Sequence, residues 1–363
     1  MTNTVFQLPQ VRILGRHAQT TGDALTLFYT ASGIECLCTG SELWLELNAD
    51  YDQFEPWISI QLNGAWISRF PVSPGASEVC VFRGMTPGTP KHVRVLKDVQ
   101  AMPDDPRHLL QITGLRWADG EFLPLPQPRY RLEFVGDSIT SGEGAIGAKQ
   151  EEDWISAFFS AINHYGRMTA DALGAEFRIV SQSGWGILSD WENNPHNRIL
   201  AEYEKVCGPA LGERNAALGA GQANDFAAWP ADAVIVNLGT NDAGASHNPP
   251  WTDPVTGETY AQDTTPEHRA RLEQAVVDGL RLLRRCNPEA LLVWVCGMLG
   301  QELCPLLDGA VARYRRETGD TRAFFLTLPD TTAETFGARQ HPGLASHRNA
   351  AAVLTEFLRQ RLA

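Results

Sequence analysis

The chain has 363 residues, of which 43% are hydrophobic and 20% charged, enough for a large core and, by length alone, for two domains. Its 43 acidic residues outnumber 30 basic ones, and the resulting charge of −13 argues against a polyanionic partner, because nucleic-acid binding needs a basic face that displaces counterions. No long apolar run suggests a membrane span, and the start Met1-Thr2-Asn3-Thr4-Val5 lacks the basic and apolar regions of a secretory signal, so a cytoplasmic location is expected.

Residues 1–125 read as all-β. Segments 24–29, 41–47, 57–62, 65–70, 78–82, 91–97 and 108–115 alternate or are β-branched between turn residues. Asn63-Gly64 between two such runs marks a two-residue hairpin. A β-sandwich of jelly-roll type is the expected closure, with Trp44, Trp57 and Trp66 in its core. The run 122–129 carries Pro124, Pro126 and Pro128, so it reads as a stiff linker and puts the domain boundary there.

From residue 130 to 363 apolar runs alternate with helix-length segments, as in a parallel sheet covered by helices. Strands are expected at 131–135, 176–181, 233–238, 291–296 and 323–328, and helices at 154–173, 266–286, 305–318 and 344–362. The stretch 193–222, rich in Gly, Asn and Pro, resists assignment. Cys36, Cys38, Cys80, Cys286 and Cys296 lie in apolar stretches and are expected as buried free thiols; Cys36 and Cys38 would share one strand face. Without a CxxC pair or ligand-like spacing of histidines, no metal or other cofactor is expected.

The first strand of this second half runs into Gly136-Asp137-Ser138, followed by glycines at 142, 144 and 147. In an open α/β sheet, reactive groups collect beyond the carboxyl ends of the strands, so Ser138 is placed as a nucleophile; the alternative is that it only caps a helix. Further strand ends carry Ser181-Gln182-Ser183-Gly184-Trp185-Gly186, Asn237-Leu238-Gly239-Thr240-Asn241-Asp242 and Gln340-His341-Pro342. Serine attacks only when an imidazole takes its proton, which assigns His341 as base and then acid. The amides of Ser138 and Gly186, or of Gly184 in its place, and the Asn241 carboxamide are candidates for the oxyanion hole.

These four blocks, in order and spacing, resemble those of the SGNH (GDSL) hydrolase superfamily, and Ser32-Gly33-Ile34-Glu35 with Gly40-Ser41-Glu42-Leu43 ahead of them resembles carbohydrate esterase family 2. The resemblance implies a three-layer flavodoxin-like α/β hydrolase domain behind the jelly-roll sandwich, and an esterase that removes O-acetyl groups from oligo- or polysaccharides through an acyl-enzyme. One departure matters. Many of these enzymes have Asp three residues before the histidine, where this chain has Ala338, so a Ser–His dyad is expected, its imidazole held by a backbone carbonyl.

Asp137 and Asp242 are assigned to turn organisation, and His347 to the last helix. Trp185 and Trp251, on loops beside the blocks, are candidates to stack on a pyranose ring, with Trp154 and Trp191 behind them. Rival readings are a short-chain lipase or thioesterase on the same scaffold and a non-catalytic carbohydrate-binding protein. An acetylated carbohydrate is the expected partner, and the oligomeric state is left open.

Overall fold

In the computed structural model, which describes residues 2–18 and 23–362, the strands β1 (Thr2–Asn3), β2 (Arg12–Leu14), β3 (Leu25–Thr26), β4 (Gly33–Cys38), β5 (Glu42–Asp50), β6 (Trp57–Leu62), β7 (Ala65–Pro71), β8 (Gly75–Arg83), β9 (Lys91–Lys97), β10 (Leu109–Trp117) and β11 (Phe122–Leu123) pair antiparallel. They form two sheets, β1-β10-β5-β8 with β3 beside β10, and β11-β4-β9-β6-β7 with β2 beside β4. Alternation along β5 explains the arrangement: Leu43, Leu45 and Leu47 face a core shared with Ile34, Cys36 and Cys38 of β4 and Val93 and Val95 of β9.

The same alternation overturns the expected tryptophan core. Trp44 falls on the opposite face from Leu43 and Leu45, half-buried, with the Arg116 guanidinium 4.7 Å from its ring centre. Trp57 is half-buried with Arg69 at 4.1 Å, and Trp66 is exposed. Among the cysteines, Cys36, Cys38 and Cys296 are buried free thiols as expected, whereas Cys286 is only partly covered and Cys80, on the outer side of β8, is exposed.

The motif Ser32-Gly33-Ile34-Glu35 has a structural explanation. A Cβ on Gly33 would fall 1.8 Å from the carbonyl oxygen of Val95, so only glycine lets β4 meet β9 so closely. Glu35 gathers Arg12 (2.7 Å), His92 (2.8 Å) and Arg94 (3.0 Å) on the other face.

Contact density divides the chain into two units, residues 1–128 with 154–162 and 205–224, and residues 129–153 with 163–204 and 225–363. This interleaving corrects the expected helix 154–173. Only Tyr165–Leu173 (called α2 below) is α-helical there. Residues 154–162 serve the first unit instead: Phe159 packs with Val99 and Met102, Arg69 donates to the carbonyls of Ala157 and Phe159 at 2.9 Å, and Ala161 N–H donates to Asp98 at 2.9 Å. Tertiary contacts outweigh the helix-like pattern.

The second unit is built on a parallel sheet of β12 (Arg131–Gly136), β13 (Glu176–Ser181), β14 (Ala233–Asn237), β17 (Leu291–Cys296) and β18 (Ala323–Thr327), with a small hairpin, β15 (Trp251–Thr252) and β16 (Thr259–Tyr260), between. Strands β14 and β17 are buried throughout, hence their nearly unbroken apolar runs, and β13 is buried too although it carries Glu176 and Arg178. The sheet order β13-β12-β14-β17-β18 is the doubly wound one, reversing direction at β12 and β14. The helices are α1 (Ser138–Ser141), α2, α3 (Glu213–Ala217, in the first unit), α4 (Thr240–Ala245), α5 (Pro266–Cys286), α6 (Cys304–Thr318) and α7 (Leu344–Arg359), with α2 packed on α7 and α5 on α6. The stretch that resisted assignment, 193–222, holds only a 3-10 turn at Ile199–Glu202 and α3. No helix among the described residues is long and apolar enough to cross a membrane.

Candidate active site

Ser138 and Asn241 leave the sheet where its winding reverses, one beyond β12 and one beyond β14. Asp137 caps α1, its side chain accepting from Ile139 N–H at 3.0 Å, which turns the chain sharply and leaves Ser138 as the first helical residue. Behind it Thr140 Oγ1 lies 3.0 Å from the buried Tyr165 hydroxyl, and Ser141 Oγ donates to Ser181 Oγ at 2.9 Å, so the elbow is pinned to α2 and β13.

His341 follows the 3-10 turn Ala338–Gln340 and reaches Ser138: its Nε2 is 2.9 Å from Ser138 Oγ. Its Nδ1 is 2.7 Å from the carbonyl oxygen of Arg339. A carbonyl can only accept, so Nδ1 carries the proton and Nε2 presents its lone pair to the serine hydroxyl. Position 338 offers no carboxylate: Ala338 is fully buried, and its N–H donates to the Gly144 carbonyl at 3.1 Å. Asp330 is engaged elsewhere, accepting from Gly300 N–H and Thr331 N–H.

The carboxamide of Asn241 donates from Nδ2 to Asp137 (3.2 Å) and to the Trp185 carbonyl (3.1 Å), which brings it against the peptide leading into Gly186. Asp242 lies beneath the same loop, accepting from the amides of Ile187 and Leu188 at 2.8 Å and from Gln262 at 3.1 Å. A side chain on Gly186 would run into Ser189 O at 2.4 Å and Asp242 Oδ2 at 2.6 Å. Burial pushes Asp137 up to about 7, with the negative charges of Asp242 and Glu143 adding to it despite the Ile139 amide. Burial likewise lifts Asp242 to about 6 against its amide donors.

Trp185 is only 8% exposed, so it offers no open face for stacking, contrary to the expectation. Its loop neighbour Trp191 is 50% exposed, edges onto Gly184, and receives Asn248 Nδ2 on its carbonyl at 2.6 Å. Trp251 is half-buried in β15, its ring packed against His196 and Tyr260. His347 lies buried in α7, accepting from Tyr165 N–H at 3.2 Å; burial and then the neighbouring His341 bring it down to about 3, so it stays neutral.

Two residues that the sequence did not single out complete the surroundings. Glu143, 2% exposed, has Oε1 2.8 Å from Arg339 Nε and 3.8 Å from His341 Nε2. The glycine run after Ser138 is the signal that places Glu143 close by; nothing in the local sequence signals Arg339. Among the described residues no group of three His, Cys, Asp or Glu side chains is arranged to hold a metal. The whole arrangement suits acyl transfer: a nucleophile, a base of defined tautomer, and polar donors on adjoining strand ends.

No family model matches the chain. An acetyl xylan esterase, Est2A, from the rumen bacterium Butyrivibrio proteoclasticus superimposes with a TM-score of 0.97 and 41% identity, over 100% of this chain and 98% of that one. A family two carbohydrate esterase from Clostridium thermocellum, in complex with cellohexaose, gives a TM-score of 0.81 at 22% identity over 97% of this chain and 99% of that one. Among curated relatives, the cellulase/esterase CelE of Acetivibrio thermocellus is 24% identical over 347 residues, 92% of this chain, and the chain spans 38% of that protein's length. With 41% identity to an acetyl xylan esterase over its full length, the chain belongs to carbohydrate esterase family 2.

Proposed function

We propose that the chain is a serine esterase that removes O-acetyl groups from acetylated oligo- or polysaccharides. The observation that carries the reading is the relay from the Arg339 carbonyl through His341 to Ser138 Oγ, 2.7 Å and 2.9 Å, in a chain of this family. As Oγ attacks the acetyl carbonyl, its proton passes to His341 Nε2 and the carbonyl electrons move onto oxygen. The oxyanion meets the amides of Ser138 and Gly186 and the carboxamide of Asn241, one of whose present bonds yields to it. Collapse expels the sugar oxygen, which takes the proton from His341; water, activated by the same nitrogen, then releases acetate from the acyl-enzyme. Trp191 and Trp251 are the aromatic faces we assign to the sugar. We read the first unit as built on a jelly-roll domain and the second as a three-layer flavodoxin-like SGNH catalytic domain, supported by the antiparallel sheets of the one and the strand order of the other.

Acetate release from a panel of acetylated oligosaccharides by purified protein tests the proposal. Ser138→Ala and His341→Ala are each expected to lower kcat by on the order of 10³-fold or more. Unchanged hydrolysis by Ser138→Ala would rule out catalysis by this serine, and no hydrolysis by the wild type would leave the carbohydrate-binding alternative. Preference for octanoyl over acetyl esters of one leaving group would favour the lipase reading.

A further inference from the structure

In a hydrolase with a complete triad the carboxylate does two things: it fixes the tautomer of the base, and it stabilises the imidazolium that forms when the serine loses its proton. Here a neutral carbonyl holds Nδ1, which serves the first purpose and contributes little to the second. A carboxylate is nevertheless present, on the other side of the ring. Glu143 Oε1 lies 3.8 Å from His341 Nε2, and the same oxygen accepts from Arg339 Nε at 2.8 Å.

We propose that Glu143 and Arg339 are a positioning pair for His341: Glu143 supplies the negative charge that the missing aspartate would have supplied, and Arg339, clamped by Glu143, keeps its own carbonyl on Nδ1. The inference rests on the reading of Ser138 and His341 given above. Arg339 sits in the left-handed region, φ 55°, ψ 33°, and Gln340 follows at φ 54°. Such residues persist only where their surroundings over-determine them. Arg339 is held at several points besides Glu143: its N–H donates to Glu151 O at 2.6 Å and Nη1 to Glu152 O at 2.9 Å. Glu143 in turn donates from its N–H to the Ser138 carbonyl at 3.0 Å, so one residue ties the nucleophile's turn to the base's turn.

Few charges surround the ring. Glu143 faces it at 3.8 Å, with Arg339 on the same carboxylate oxygen; His347 from α7 is neutral; Asp137, at the head of α1, is raised to about 7; and Glu152 touches the turn through Gln340 at 3.4 Å. Removing one member of the pair therefore leaves the other charge uncompensated beside the imidazole.

The test is the pH dependence of kcat and kcat/KM in wild type, Glu143→Gln and Arg339→Gln. Glu143→Gln keeps an acceptor for Arg339 but removes the charge, so the acid limb should move to lower pH by about 1 unit, with kcat down about tenfold and KM within about twofold. Arg339→Gln leaves the carboxylate unopposed, and the acid limb should move to higher pH. Glu143→Asp should return the limb toward its wild-type position. A merely structural pair would lower activity in both glutamine variants without opposite shifts. Shifts in the same direction, or none in either, overturn the proposal. Should Glu143→Gln fail to fold, the upward shift in Arg339→Gln decides alone. Ser138→Ala, run alongside, separates the two levels: an active Ser138→Ala defeats the esterase site itself, whereas an inactive one with unmoved limbs defeats only the pair.

Discussion

Gly144 has φ +68°, and a Cβ there would stand 2.3 Å from Ala338 O and 2.5 Å from His341 Cβ. Neither neighbour can retreat freely, since one is backbone and the other carries the imidazole held between Arg339 and Ser138. Gly144→Ala is expected to cost about 1–3 kcal/mol of stability and to lower kcat at least about tenfold, measured by thermal unfolding and acetate release. Gly244→Ala is the control, because nothing lies within 4 Å of that Cβ and alanine favours the helix, so stability should rise by about 0.5–1 kcal/mol with activity unchanged. At this scale the meeting of Ser138 and His341 was legible in the sequence, because acyl transfer would need those residue types at successive strand ends, and the two side chains do lie 2.9 Å apart. That of Glu143 and Arg339 was not, because it depends on two left-handed residues that no local pattern announces. Trp185 was misjudged for a related reason: its neighbours Gly184 and Gly186 allow the loop to fold the ring inward and leave Trp191 outside.

Strands were the most legible elements. The limits of β6, β9, β13 and β17 match the apolar runs, because a strand buried on both faces, or on alternate residues, writes its burial into its sequence. β4 was not read as a separate strand, although its two cysteines were expected on one face. Glu35 on that strand yields a prediction. Burial alone would raise its carboxyl, but the His92 hydrogen bond and the Arg94 and Arg12 charges outweigh that and bring it down from 4.5 to about 2. A depressed carboxylate contributes stability that is present above pH 4.5 and lost as pH falls through about 2. Glu35→Gln should therefore be less stable than wild type by up to about 3 kcal/mol at pH 7, with the difference shrinking across that acid window in chemical unfolding series.

For the whole chain, the two halves were legible as fold classes, all-β and then doubly wound α/β, since each has its own periodicity. Their interleaving was not, because residues 154–162 and 205–224 look locally like helix and loop. The first unit depends on them: Asp98 draws on Ala161, Arg69 on Ala157 and Phe159, Arg16 on Lys205 O at 2.8 Å, and Asp50 on Arg214 at 2.7 Å. A fragment of residues 1–128 lacks all four sets of partners. It should melt well below the full chain or show no cooperative transition by calorimetry, since the Arg69–Asp98 ion pair (2.8 Å) would lose the Ala157, Phe159 and Ala161 groups that complete its hydrogen bonding.

The carbonyl on His341 Nδ1 has a genetic consequence. A triad's aspartate can be lost through a single codon, but a main-chain oxygen is encoded by every codon, so no substitution at 339 deletes the acceptor. Mutation can only redirect it, by removing the Glu143 clamp or by changing how readily that residue holds its left-handed turn. Saturation of position 339 should therefore give a graded series of activities ordered by tolerance for that conformation, with asparagine and glycine high and β-branched residues low, where a side-chain acceptor would give all or none.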